Sequence, residues 1–152
     1  MRACLRDAPL ILGIGNPLRG DDGFGPELVF RLKGIPVHTI DAGTTPENYL
    51  GSVARMKPKL VLVADAADIG ANPGEPALLG RDEIDQVGGF STHTMSPALF
   101  MRQLEDLCGA RILMLAVQPA STAFGQGLSR QVEACLEELV TVIEEAFVDA
   151  SP

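Results

Sequence analysis

Lys59-Leu60-Val61-Leu62-Val63-Ala64-Asp65 holds five consecutive apolar residues and ends on a carboxylate. A strand with one face in water alternates apolar and polar residues. An unbroken branched run predicts instead a strand covered on both faces. Pro9 to Gly15 has the same character and ends at glycines, and Arg111 to Val117 repeats it. Ile35 to Asp41 reads as another strand, and Pro76 to Leu79 as a short edge strand. Helical signals fall between them. Pro26 suits a first helical position, Leu28, Val29 and Leu32 give an apolar face, and Gly34 closes that helix. Thr45-Pro46-Glu47 opens a helix that runs to Met56, where Lys57-Pro58 ends it. Ser96-Pro97 opens the next, with Phe100, Leu104, Leu107 and Cys108 facing inward and Gly109 stopping it. Ser129 caps a final helix with the stripe Val132, Leu136, Leu139, Ile143 and Phe147. Strands alternating with helices predict an α/β fold: a three-layer α/β/α sandwich with a mostly parallel five-stranded sheet and helices on both faces. Residues 1–152 read as one domain.

Composition narrows the function classes. The chain is 46% hydrophobic and 21% charged, so it is not a disordered segment. Its net charge of -8 argues against a nucleic-acid binder or an anionic-membrane binder, since both need a basic face. Cys4, Cys108 and Cys135 form no CxxC pair, which disfavours a zinc knuckle or a disulfide scaffold. They read as buried small hydrophobes in a reducing compartment. The N-terminus is not a signal peptide and no apolar run is long enough to span a bilayer, so a soluble cytoplasmic domain is expected.

In open α/β sheets, ligands bind beyond the carboxyl ends of the strands. The first strand is followed by Asn16-Pro17-Leu18-Arg19-Gly20-Asp21-Asp22-Gly23. Asp41 ends the second, Asp65 ends the third with Asp68 behind it, and Gln118-Pro119 ends the last. His93 lies in the loop Gly88 to Ser96. Asp22, Asp65 and His93 suit a divalent ion such as nickel, zinc or manganese, with open positions for a second protein's ligands. Taken singly, each has a plainer role: Asp65 capping a turn, Asp21 or Asp22 accepting backbone N–H groups where a helix starts, His93 as a surface or packing residue. Gly13-Ile14-Gly15 begins a GxGxxG pattern, but Leu18 stands at the third glycine and the loop is acidic, which disfavours a pyrophosphate. There is no Walker A lysine, GxSxG elbow or HExxH pair. Cys108 and Cys135 sit in helix patterns away from His93 and are poor nucleophile candidates.

Five blocks together resemble the hydrogenase maturation endopeptidases, which remove a C-terminal extension from the [NiFe]-hydrogenase large-subunit precursor. They are Gly13 to Gly25, Ile40 to Asn48, Asp65 to Glu75, Ser91 to Ser96, and Val117-Gln118-Pro119. They occur in family order over most of the chain. The His93 block and Pro46-Glu47-Asn48 look most like the branch serving hydrogenase 3 (formate hydrogenlyase). The resemblance places the family's nickel-binding groups on Asp22, Asp65 and His93. Where the family usually has Asp-Gly-Gly-Thr, this chain has Asp41-Ala42-Gly43-Thr44, so a positive φ at position 42 is in doubt. Asp41 and Gly43 are expected to shape the substrate cleft.

The resemblance implies that nickel comes with the substrate precursor, with no tightly bound cofactor of the protein's own. Asp22, Asp65 and His93 would complete the ion's coordination and report its presence. Nickel would then polarise the scissile carbonyl or activate a water; alternatively Asp41 acts as general base and nickel serves recognition only. The expected partner is the large-subunit precursor, and the expected state is a monomer. Rival readings are a non-catalytic nickel or precursor chaperone, a more general peptidase, and a phosphoacceptor receiver domain. The last lacks its lysine, because Gln118-Pro119-Ala120 follows the last strand.

Overall fold

The computed structural model describes residues 1–87 and 96–148. Five strands form one sheet in the order β2-β1-β3-β5-β4. These are β1 (Leu10–Ile14), β2 (His38–Gly43), β3 (Leu60–Ala66), β4 (Pro76–Leu79) and β5 (Arg111–Val117). All neighbours run parallel except β4, which pairs antiparallel with β5 at one edge. The helices are α1 (Arg2–Leu5), α2 (Phe24–Arg31), α3 (Leu50–Met56), α4 (Arg81–Ile84), α5 (Pro97–Cys108) and α6 (Arg130–Val148).

Every residue of β3 is buried, as its uninterrupted apolar run requires. Its alternate residues serve two cores. Leu60, Leu62 and Ala64 join Phe24, Leu28 and Leu32 of the α2 region and Leu136, Leu139 and Ile143 of α6. Val61 and Val63 join Val53 of α3, Ile84 of α4 and Phe100, Met101 and Leu104 of α5. The expected three-layer α/β/α sandwich is therefore present, with α1, α2 and α6 on one face and α3, α4 and α5 on the other. Arg31 ties the outer surfaces of α2 and α6 together through Glu27 (2.9 Å) and Glu133 (2.6 Å). Burial opposes the charge on Arg31, but the two carboxylates outweigh it and raise its pKa.

Helix ends follow the punctuation. The Ser96 hydroxyl accepts the Leu99 N–H at 3.1 Å, Pro97 takes the first turn, and Gly109 ends α5. The Ser129 hydroxyl likewise accepts the Val132 N–H at 3.3 Å. Helix α2 starts at Phe24, two residues before Pro26, because the 3-10 turn Gly20–Gly23 feeds directly into it. Pro26 is still harmless, since first-turn N–H groups lack helical partners. Gly25 lets this helix lie directly on the sheet. A Cβ there would run into the Ile14 and Ala64 carbonyl oxygens.

Several expectations are corrected. Strand β2 begins at His38, not Ile35, because the chain bends through Ile35-Pro36-Val37 after Gly34 and Pro36 has no N–H for a ladder. It is an edge strand and mostly uncovered. The segment after Thr45 starts as a 3-10 turn (Pro46–Tyr49) without a Thr45 side-chain cap, and α-helix begins only at Leu50. In α5 Met101 is buried along with Phe100 and Leu104, while Leu107 is exposed. Cys135 is buried, whereas Cys4 and Cys108 are half-buried at the margins of the cores. Burial, with Glu138 nearby, pushes the Cys135 thiol up to about 11, and burial also raises Cys108, so neither is an activated nucleophile. The short helices α1 and α4 carry too few residues to show a period in the sequence. Among the described residues no helix is long and apolar enough to cross a membrane.

Candidate active site at the carboxyl edge

From β1 the chain crosses through α2 to β2 on one side, then returns through α3 to β3 on the other side of β1. The two crossovers cover opposite faces of the sheet. Such a reversal leaves a crevice beyond the carboxyl ends of the two strands where it occurs, here β1 and β3. Asp22 follows β1 and Asp65 is the penultimate residue of β3, so both belong to that crevice. The 3-10 turn carrying Asp22 packs against β3. Asp22 is 4% exposed and Asp65 is 1% exposed. The Asp22 carboxylate accepts the Asn16 N–H at 2.9 Å, closing the loop back onto the end of β1. By the alternation of β3, Asp65 lies on the face that carries α5.

Asp41 occupies a different position. It pairs in register with Gly13, which pairs on its other side with Ala64. Ile40 and Ala42 belong to the core on the α3 and α5 side, so the side chain of Asp41 is directed to the opposite face from Asp65. It is exposed and accepts the Gly43 N–H at 3.0 Å. The departure at Ala42 has a simple resolution. The register slips between Gly13 and Ile14, leaving Ala42 as the extra residue of a bulge. Ala42 is buried with an ordinary backbone, and the positive φ (55°) falls on Gly43, where glycine is retained.

His93 lies outside the described residues, three positions before the Ser96 cap of α5. Among the described residues, no three His, Cys, Asp or Glu side chains gather as a metal-binding group. The other histidine, His38, starts β2, at the amino end of that strand.

Two further residues brace this edge of the sheet through partners that the sequence does not reveal. Asp21 is fully buried and accepts three backbone N–H groups: Ala120 (2.8 Å), Ser121 (3.2 Å) and Ser129 (2.6 Å). It thus fastens the first loop to the whole β5–α6 connection. A backbone-accepting role for it was legible; the distant partner was not. Gln118, at the end of β5, accepts the Ile69 (2.8 Å) and Ala71 (3.2 Å) N–H groups and donates to Asp68 at 3.3 Å. It holds the loop that follows Asp65.

Fold and site together define a three-layer α/β/α protein with buried carboxylates at the switch point of its sheet. Comparison with known proteins narrows this class. Residues 27–146 match the family model HycI, described as hydrogenase maturation protease. The chain is 30% identical over 138 residues to the hydrogenase 3 maturation protease of Escherichia coli K12, covering 89% of this chain and 88% of that one. The crystal structure of a [NiFe] hydrogenase maturation protease HycI from Thermococcus kodakarensis superposes with a TM-score of 0.81 at 32% identity, covering 91% of each chain. The solution structure of an endopeptidase HycI from Escherichia coli also gives 0.81, at 28% identity over 90% of this chain and 89% of that one. The chain belongs to the hydrogenase maturation proteases, a family of peptidases, as the five sequence blocks implied.

Proposed function

We propose that this chain is the endopeptidase that removes the C-terminal extension of a nickel-loaded [NiFe]-hydrogenase large-subunit precursor, with the ion recognised by Asp22, Asp65 and His93. The observation that carries the reading is the pair of buried carboxylates, Asp22 and Asp65, delivered to one crevice from two strand ends. Two buried carboxylates at one switch point give that end of the sheet a local negative charge. An ion presented by the substrate would be attracted to that charge at the moment of docking. Nickel is substrate cargo here, and the protein holds no resident metal of its own. The family membership supports the peptidase activity, and the similarity to hydrogenase maturation proteases supports hydrogenase maturation as its setting.

In this reading Asp22 is a fixed ligand, because its loop is closed on Asn16 and its neighbour Asp21 anchors the turn. Asp65 is fixed by the covered end of β3. His93 would add a neutral imidazole, so processing falls on acidification through the histidine range. The ion, a Lewis acid, would polarise the scissile carbonyl or a water. Asp41 as general base is the second possibility, and its exposure at the neighbouring strand end leaves it open to a docked chain.

The test is intact-mass analysis of a nickel-loaded precursor from the same host after incubation with the protein. A nickel-free precursor and the His93→Ala variant run in parallel. Loss of a C-terminal peptide only with nickel and only with His93 is the expected result. Binding without cleavage would replace the reading with a nickel or precursor chaperone. Cleavage of the nickel-free precursor, or by His93→Ala, would remove metal recognition from it.

A further inference from the structure

The loops at the carboxyl edge expose large apolar side chains where a surface would ordinarily be polar. Phe124 is 74% exposed and Leu18 is 61% exposed. They lie 106 positions apart (124 − 18), yet they are neighbours, since the Gly125 N–H donates to the Leu18 carbonyl at 2.8 Å. The two loops are stitched further by Gly20 N–H to Gln126 carbonyl (3.0 Å) and Asp21 N–H to Ser121 carbonyl (2.9 Å). Beneath them Asp21 holds Ala120, Ser121 and Ser129. The Ser121 hydroxyl accepts the Ala123 N–H at 3.2 Å, directly before Phe124. A connection with no helix or strand is thereby held in one shape, and its Phe is displayed on a firm base. Ordering a side chain before binding removes part of the entropy that association would otherwise cost.

Charge singles out the same surface. The protein carries 20 acidic residues, but residues 16–20 and 119–132 contain none, and they contain Arg19 and Arg130. Of the acids that adjoin the patch in sequence, Asp21 and Asp22 are buried and Glu133 is ion-paired with Arg31 at 2.6 Å. The face is therefore apolar with a cationic rim, on a molecule that is acidic overall.

We infer that Leu18 and Phe124 form the docking surface for the precursor large subunit, receiving an apolar side chain flanked by carboxylates beside the scissile segment. This rests on the proposed function and names how that substrate is held. The patch is continuous with the candidate site: Leu18 and Asp22 share one loop, four residues apart, and Asp21 fastens Phe124's loop to it. A partner with an acidic rim would be repelled by most of this protein's surface and accepted here, which fixes orientation as well as position.

The experiment measures KM and kcat for processing of the nickel-loaded precursor by the wild-type protein, Phe124→Ser, Leu18→Ser and Arg19→Glu. Leu107→Ser, an equally exposed leucine at the far end of α5, is the control. Phe124→Ser should raise KM about tenfold, the range of a truncated aromatic anchor, with kcat within about twofold of wild type. Leu18→Ser should raise it less, and Arg19→Glu should raise it by an amount that shrinks with added salt. Wild-type KM in both apolar variants, or an equal rise in Leu107→Ser, overturns the docking surface while leaving the peptidase reading intact. A salt-independent or absent effect of Arg19→Glu overturns the acidic rim assigned to the partner. If the wild-type protein cleaves no nickel-loaded precursor, the peptidase reading itself fails, and the docking inference falls with it.

Discussion

The two ends of the sheet differ in where they put charge. At the amino ends, a cavity of about 540 Å³ opens among Asp7, His38, Lys57 and Lys59, all exposed to solvent. At the carboxyl ends Asp21, Asp22 and Asp65 are all buried, and no other charged residue among the described ones is. A solvated lysine costs the fold almost nothing, whereas a buried carboxylate is unfavourable unless something compensates it. The buried charges therefore mark where structure or function has a demand, and in the proposed function the adjacent pair Asp21 and Asp22 divides between the two. Asp21 meets a structural demand, with both oxygens occupied by backbone donors from a distant loop. Asp22 and Asp65 face the crevice at the switch point.

That division is open to direct attack. The largest effect is expected from Asp65→Asn, and equally from Asp22→Asn. Each keeps the side-chain shape and removes a negative charge, and each should lower the processing rate by about a thousandfold, roughly 4 kcal/mol at the transition state. The unfolding free energy should change by less than about 1 kcal/mol, because a neutral amide relieves the burial of charge. Rate comes from intact-mass kinetics and stability from urea titration. A variant that unfolds and still cleaves at the wild-type rate when folded would reverse the assignment. Next comes Asp21→Ala, which orphans three backbone N–H groups and should destabilise by about 3 kcal/mol. It should also loosen the β5–α6 connection, read as faster amide exchange at Ala120, Ser121 and Ser129. If its unfolding midpoint matched the wild type, the claim that Asp21 is the fastener of this edge would be wrong. Gly25→Ala is third, at about 2 kcal/mol. Its Cβ would meet backbone of β1 and β3, which moves less readily than a side chain.

The sequence shows this asymmetry only in part. Unbroken runs such as Leu60 to Ala64 reveal a doubly covered parallel sheet, because burial on both faces leaves no room for alternation. Arg111–Val117 and Pro76–Leu79 are found at those bounds, and the stripe from Val132 to Phe147 is buried as its spacing demands. The strand ends, read by the general rule for α/β sheets, lead to Asp22 and Asp65. What stays hidden is long-range. Nothing local says that Asp21 binds residues a hundred positions away, or that Gln118 holds the turn after Asp65. The edge strand also misleads: Ile35 and Val37 look like a strand, but they pack as a bend against the α2 core. Leu107 misleads for the same reason, since helical spacing predicts a face but not how far that face extends around the helix.

The smallest effect belongs to the amino end, and it carries the opposite sign. Lys57 closes α3 in the left-handed region, with φ 49° and ψ 52°. A side chain there crowds its own backbone by about 1–2 kcal/mol, a conformation that glycine adopts without strain. Glycine also frees the unfolded chain, which returns about 0.4–1 kcal/mol of the gain. Lys57→Gly should therefore stabilise the fold by about 0.5 kcal/mol, read as a slightly higher urea midpoint at unchanged slope. Processing of the nickel-loaded precursor should stay at the wild-type rate, although the substitution removes a cation from the lining of the amino-end cavity. If the variant instead lost processing, the amino-end cavity would have to be part of how the substrate is held. The burial of charge would then no longer be enough to tell the working end of the sheet from the idle one.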